Sequence, residues 1–93
     1  MNKFQPSDPN YESRIRNSFD KQEAMKTIGA KLVTVMPGEV HIEFSFLESL
    51  TQQLGYIHGG IITTVVDTAC GYAAYTLMPA KSEVLTITTP LSI

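Results

Sequence analysis

From residue 39 to residue 46 apolar and polar side chains alternate strictly. Val40, Ile42, Phe44 and Phe46 fall on one side, and Glu39, His41, Glu43 and Ser45 on the other. Period-two alternation predicts a strand with one buried and one wet face. His41 belongs to the wet face and is assigned to solvent. Upstream, residues 31 to 36 (KLVTVM) are rich in β-branched side chains, and Pro37-Gly38 is a turn dipeptide, so the two runs read as a hairpin. Before them, Tyr11, Ile15, Phe19, Met25 and Ile28 form a broken apolar stripe. It predicts one short amphipathic helix running to about Thr27, with Asp8 as N-cap, Pro9 at the first helical position and Gly29 as its stop. Arg14, Arg16, Lys21 and Lys26 read as the solvated face of that helix.

The apolar period changes after the loop at 51 to 57 (TQQLGYI). Adjacent apolar pairs recur every four positions: Ile61-Ile62, Val65-Val66, Ala69-Cys70, Ala73-Ala74 and Leu77-Met78. Such a pattern wraps an apolar surface far around a helix and predicts a wholly buried one from His58 to Met78, ended by Pro79. At the α-helical rise it would be ~31 Å long, the width of a small domain. A last strand is expected over about 83 to 89. The order helix, hairpin, long buried helix, strand predicts an α+β domain in which an antiparallel sheet wraps one helix. No repeat or linker divides the chain, so residues 1–9 are expected to be a flexible tail and residues 10–93 one domain.

One residue breaks the uncharged character of the long helix. Asp67 is the only Asp, Glu, Lys or Arg between Glu48 and Lys81. A carboxylate buried in an apolar helix must be paired, hydrogen-bonded or neutralised, and such groups are enriched at working sites. At the start of the same helix stands His58-Gly59-Gly60. The first N–H groups of a helix lack internal partners and suit a developing oxyanion, and glycines at positions 59 and 60 let a substrate approach the backbone; they equally permit a tight turn. Eight helical residues separate Gly59 from Asp67, about 12 Å. That is too far for both to act on one carbonyl within one chain. If both act together, they come from two copies, and a two-fold dimer with antiparallel helices supplies the pairing twice. The alternative is an Asp67 satisfied internally by Thr63 and Thr64.

Composition removes other classes. A net charge of -2 over 93 residues gives no electrostatic case for nucleic acid. No segment reaches the roughly 18 apolar residues of a membrane span. The first nine residues lack the apolar core of a signal peptide, and the single cysteine, Cys70, cannot form an internal disulfide; a cytoplasmic location is expected. Cys70 lies on the apolar stripe, about 18 Å along the helix from His58, so it reads as core and not as a nucleophile. His41, His58 and Asp67 show no metal-ligand spacing.

The run from Thr51 to Tyr75, TQQLGYIHGGIITTVVDTACGYAAY, resembles the signature of hotdog-fold acyl-CoA thioesterases of the PaaI-like branch, in the 4-hydroxybenzoyl-CoA thioesterase superfamily. SFDKQEAMKTIGAKLVTVMPGEVHIEF resembles that family's entry helix and first strand, so the likeness covers about residues 12 to 87. The resemblance implies a hotdog sheet around the long helix, with the later strands of the fold absent from this C-terminally shortened chain and the helix consequently left largely uncovered. It implies hydrolysis of an acyl-CoA thioester to free acid and CoA. In that reading Asp67 is general base or nucleophile, Gly59 donates its N–H to the thioester oxygen, and His58 shapes the loop. Gln52, standing where relatives often carry Asn, would orient water, and Gly60 and Thr86 would flank the substrate. Expected partners are the acyl-CoA and a second copy, as homodimer or dimer of dimers; no metal or redox cofactor is implied, coenzyme A being part of the substrate. The alternative function is a non-catalytic acyl- or CoA-binding or oligomerisation module.

Overall fold

A computed structural model describes residues 4–85 of the chain. The expected first helix is two helices, α1 (Tyr11–Phe19) and α2 (Glu23–Ile28). Two tight bonds, from the N–H of Lys21 to Ser18 O and from the N–H of Gln22 to Phe19 O, close α1. Gln22 then turns extended (φ -81°, ψ 104°) and starts α2. The break has a packing cause. A continuous helix would set Met25 about 120° around the axis from Phe19, whereas the kinked chain buries Ile15, Phe19, Met25 and Ile28 together. At the other end the N-cap is Asn10, not Asp8. Asp8 lies two residues earlier, where its Oδ1 accepts from the Asn10 N–H at 2.9 Å and its carbonyl from the Tyr11 N–H.

Gly29 ends α2 as the spacing predicts. It sits at φ 77°, and its N–H donates to Lys26 O while that of Ala30 donates to Met25 O, a Schellman closure that requires the left-handed conformation glycine allows. Strands β1 (Lys31–Met36) and β2 (Glu39–Glu43) pair antiparallel from Lys31↔Glu43 to Met36↔Glu39, with a bulge between Leu32 and Thr34. Val40, Ile42 and Phe44 face the core, and His41 lies on the wet face beside Glu39 at 2.9 Å. Phe46 does not continue the alternation. The strand stops at Glu43, and Phe46 is 62% exposed.

A 3-10 turn, Glu48–Leu50, leads through the loop to α3 (Gly59–Tyr75). Its 17 residues span ~26 Å. Thr76 caps it and is fully buried: its hydroxyl donates to Ala73 O at 2.6 Å and accepts from Gly38 N–H at 2.7 Å, tying the hairpin turn to the helix end. Val65, Tyr72 and Tyr75 join the core.

The expectation of a wholly buried helix is corrected here. Ile62 and Val66 are 47% and 53% exposed, and Cys70, read as core, is exposed as well. Two strands form the only sheet among the described residues, and they cover one side of α3. Of the expected strand at 83 to 89, residues 83 to 85 are irregular and the remainder, with Thr86, lies outside the described residues. No described helix is long and apolar enough to cross a membrane.

Arg14 is also not part of a solvated face. Its guanidinium donates to Tyr75 O (2.7 Å), Pro79 O (2.8 Å) and Met78 O (3.0 Å), meets Asp8 at 3.3 Å and lies 4.4 Å from the centre of the Tyr75 ring. It thereby neutralises the negative end of α3, whose last carbonyls have no helical partners. Arg16, similarly, donates to Leu32 O at 3.1 Å and holds α1 against β1. Within the segment expected as a tail, Ser7 donates to Leu77 O at 3.0 Å and Asp8 is buried.

Candidate active site

The loop before α3 is closed on itself. Thr51 and Ile57 form a bridge, the Gln52 N–H donates to Tyr56 O at 2.8 Å, and the His58 N–H donates to Leu50 O at 2.9 Å. Gln52 uses its side chain in the same closure, its Oε1 accepting from the Leu54 N–H. The amide expected to orient water therefore has its carbonyl end committed to the loop: glutamine is long enough to reach back over the turn it starts.

His58 is the N-cap of α3, with extended backbone (φ -61°, ψ 132°), and its Nδ1 accepts from the Gly60 N–H at 2.8 Å. A ring nitrogen here does the job more often done by a serine or aspartate oxygen. The cap distinguishes the two glycines. The Gly60 N–H is taken, whereas that of Gly59 has no partner among the described residues. Gly59 is also open to approach, since a Cβ built on it meets nothing within 4 Å. Of the donors at this helix start, Gly59 is the one presented outward at the positive end of the dipole.

Asp67 is exposed, which corrects the buried carboxylate expected from the apolar composition of α3. Nor do the neighbouring threonines serve it with their hydroxyl protons: Thr63 donates to Gly59 O at 2.9 Å and Thr64 to Gly60 O at 2.8 Å. Each hydroxyl has one proton to give and both spend it on backbone carbonyls, while Asp67 keeps an interaction of its own. Asp67 borders a cavity of about 710 Å³ between α1 and α3.

That cavity does not include Gly59, His58 or Gln52. Asp67 and Gly59 lie two helical turns apart on one chain, as their spacing predicts. What the cavity does gather with Asp67 is a polar wall from α1 and its exit: Asn17, Ser18, Lys21 and Gln22, facing Tyr72. Sequence reading missed these residues because their partner is about fifty positions away. The only local signal was that Ser18 and Gln22 are four apart. No group of three His, Cys, Asp or Glu side chains able to hold a metal is found among the described residues.

The chain is similar to known proteins over most of its length. The structure of a thioesterase family protein from Silicibacter pomeroyi superposes with a TM-score of 0.81 at 45% sequence identity, over 84% of this chain and 57% of that one. Two proteins of Saccharolobus solfataricus, each named "Putative esterase", are 32% and 31% identical over 72 and 71 residues, 77% and 75% of this chain. The chain spans about half the length of these two relatives, 48% and 51%. No family model matches it. The resemblance read from residues 51 to 75 is thereby borne out at the level of the thioesterase family: over most of its length the chain is similar in sequence and fold to such a protein. Its fold is α+β, the helix-and-hairpin part of a hotdog.

Proposed function

We propose that the protein hydrolyses acyl-CoA thioesters to the free acid and CoA, as a PaaI-like member of the hotdog thioesterases located in the cytoplasm. The observation that carries this reading is the joint placement on α3 of an accessible carboxylate, Asp67, and an outward, unpartnered helix-start donor, the Gly59 N–H. The two meet across copies: in a two-fold dimer with antiparallel α3 helices, Gly59 of one copy lies near Asp67 of the other. The Gly59 N–H takes the developing charge on the thioester oxygen, and the cap from His58 fixes the backbone that aims it. Asp67 removes a proton from water as the water oxygen attacks the thioester carbon. The C–S bond then breaks, and the proton passes to the departing thiolate. Used instead as a nucleophile, Asp67 would form an acyl anhydride that water opens in a second step. Either course needs water alone besides the substrate.

The test is free-thiol release from a panel of acyl-CoA thioesters by the wild type and by Asp67→Asn. The substitution keeps shape and removes the base, so a fall of about 10² to 10⁴ in kcat is expected. Hydrolysis by Asp67→Asn at the wild-type rate would refute the assignment.

A further inference from the structure

The stripe of α3 that begins at Gly59 is apolar and uncovered. Val66 and Cys70 follow Gly59 by seven and eleven residues, which returns each to within ~20° of it around the helix. Val66 is 53% exposed, and Cys70 is exposed as well. A second apolar feature stands beyond the other end of the stripe. Leu54 and Tyr56, each 71% exposed, lie at the tip of the loop before α3. That loop is closed: the Gly55 N–H donates to Gln52 O at 3.0 Å, the Gln52 N–H to Tyr56 O at 2.8 Å, and Thr51 bridges Ile57. A preformed turn therefore holds both side chains outward, and apolar side chains grouped on a surface mark a contact. Within one chain the two features cannot meet, because Cys70 lies ~16 Å along the axis beyond Gly59 and the loop lies before it.

Symmetry joins them. Thr63 is exposed and stands midway between Gly59 and Asp67, with Gly59 ~40° to one side of it around the helix and Asp67 ~40° to the other. A two-fold axis through Thr63, normal to α3, lays two helices antiparallel and brings Gly59 of each copy to the same flank as Asp67 of the other. The same operation carries a point ~10 Å past Thr63 onto a point ~10 Å before it. Cys70 is such a point, and the second copy offers its Leu54–Tyr56 loop there. We infer that this loop docks on the Val66–Cys70 stripe of a second copy of the chain, twice per dimer. Each shared site is then flanked by the loop of the copy that contributes Gly59. The position of the axis rests on the hydrolase reading above, whereas the contact is measured without turnover.

Cys70 is the only cysteine of the chain and serves as the reporter. The wild type, Leu54→Cys, Tyr56→Cys and Glu23→Cys are oxidised with diamide and followed on non-reducing gels, with mass spectrometry of the linked peptides. Glu23 is the control, 81% exposed on α2 and outside the contact. One or both loop variants are expected to form a dimer linked through Cys70 of the other copy at least tenfold faster than Glu23→Cys. The wild type should link no faster than that control, since the two Cys70 residues stand ~21 Å apart along the helices and a disulfide needs Cα atoms within about 7 Å. Tyr56→Asp and Val66→Asp, both on the surface of a single copy, should weaken the dimer at least tenfold in sedimentation equilibrium. The inference is overturned if neither loop variant outpaces Glu23→Cys, if the wild type links through Cys70 as fast as they do, or if the Asp variants leave the dimer intact. Linked loops in a protein that cleaves no thioester would sink the hydrolase reading and leave the docking standing. Asp67-dependent cleavage with no loop linkage would do the reverse.

Discussion

Arg14 offers a measurement that separates local from long-range reasoning. As one of four cations on the outer face of an amphipathic helix, its replacement would change stability by no more than about 0.5 kcal/mol. In the structure it makes three hydrogen bonds to carbonyls at the end of α3 and pairs with the buried Asp8, its own side chain only 16% exposed. Arg14→Met keeps most of the stem packing and removes all of these. Each charge-assisted bond is worth about 1.5 to 3 kcal/mol, and leaving a buried carboxylate unpaired costs about 3 to 5 kcal/mol. These contributions overlap, and the carbonyl at Pro79 can be rehydrated, so the net expectation is about 3 to 4 kcal/mol. For a domain of this size that corresponds to a fall in Tm on the order of 15 °C. Arg14→Lys keeps the charge for Asp8 but has no planar fork to span three carbonyls, and should lose about half as much. Urea and thermal unfolding of the three proteins provide the check. A loss below about 1 kcal/mol for Arg14→Met, or a lysine variant as stable as wild type, would refute the view that the guanidinium fork holds the end of α3.

Three further outcomes are expected. Thr76→Val should cost about 1 to 3 kcal/mol in the same unfolding assay, because it leaves the Gly38 N–H without its acceptor at a fully buried site while keeping side-chain volume. Gly59→Pro removes the proposed oxyanion donor at a helix position where proline is tolerated, and should be as inactive as Asp67→Asn. Mixing and refolding the two inactive variants should restore about a quarter of the thiol-release activity, since half of the dimers are mixed and each of those regains one intact site. No recovery would rule out a site shared between copies.

What sequence made legible follows the reach of its causes. The bounds of β1, the reversal at Pro37-Gly38, the stop at Gly29 and the start of α3 at Gly59 all depend on neighbours within a few residues: branching at Cβ, a glycine with positive φ, a cap. The break after Phe19 was not legible, because it serves the placement of Met25 and Ile28 against strands not yet formed. Arg14 was misread for a similar reason, its acceptors standing 61 to 65 positions later. Asp67 was placed correctly on its helix but not in its surroundings. Apolar composition shows what α3 can bury, whereas the hairpin decides how much of it is covered. Gln52 and the two threonines spend their polar groups on nearby backbone, a competition that residue type permits without dictating.

The long separations between α1 and its partners also impose an order in time. Ser7, Arg14 and Ser18 are held by Leu77, Pro79 and Tyr72, which follow them by 70, 65 and 54 residues. At translation rates of about 5 to 20 residues per second, α1 leaves the ribosome roughly 3 to 14 s before these partners are made. A helix of nine residues does not persist alone in water, so Ile15 and Phe19 spend that interval on an unstructured, unsheltered segment. Helix α1 is therefore made well before its partners and is among the last of the described elements to be secured, when it docks onto the end of α3.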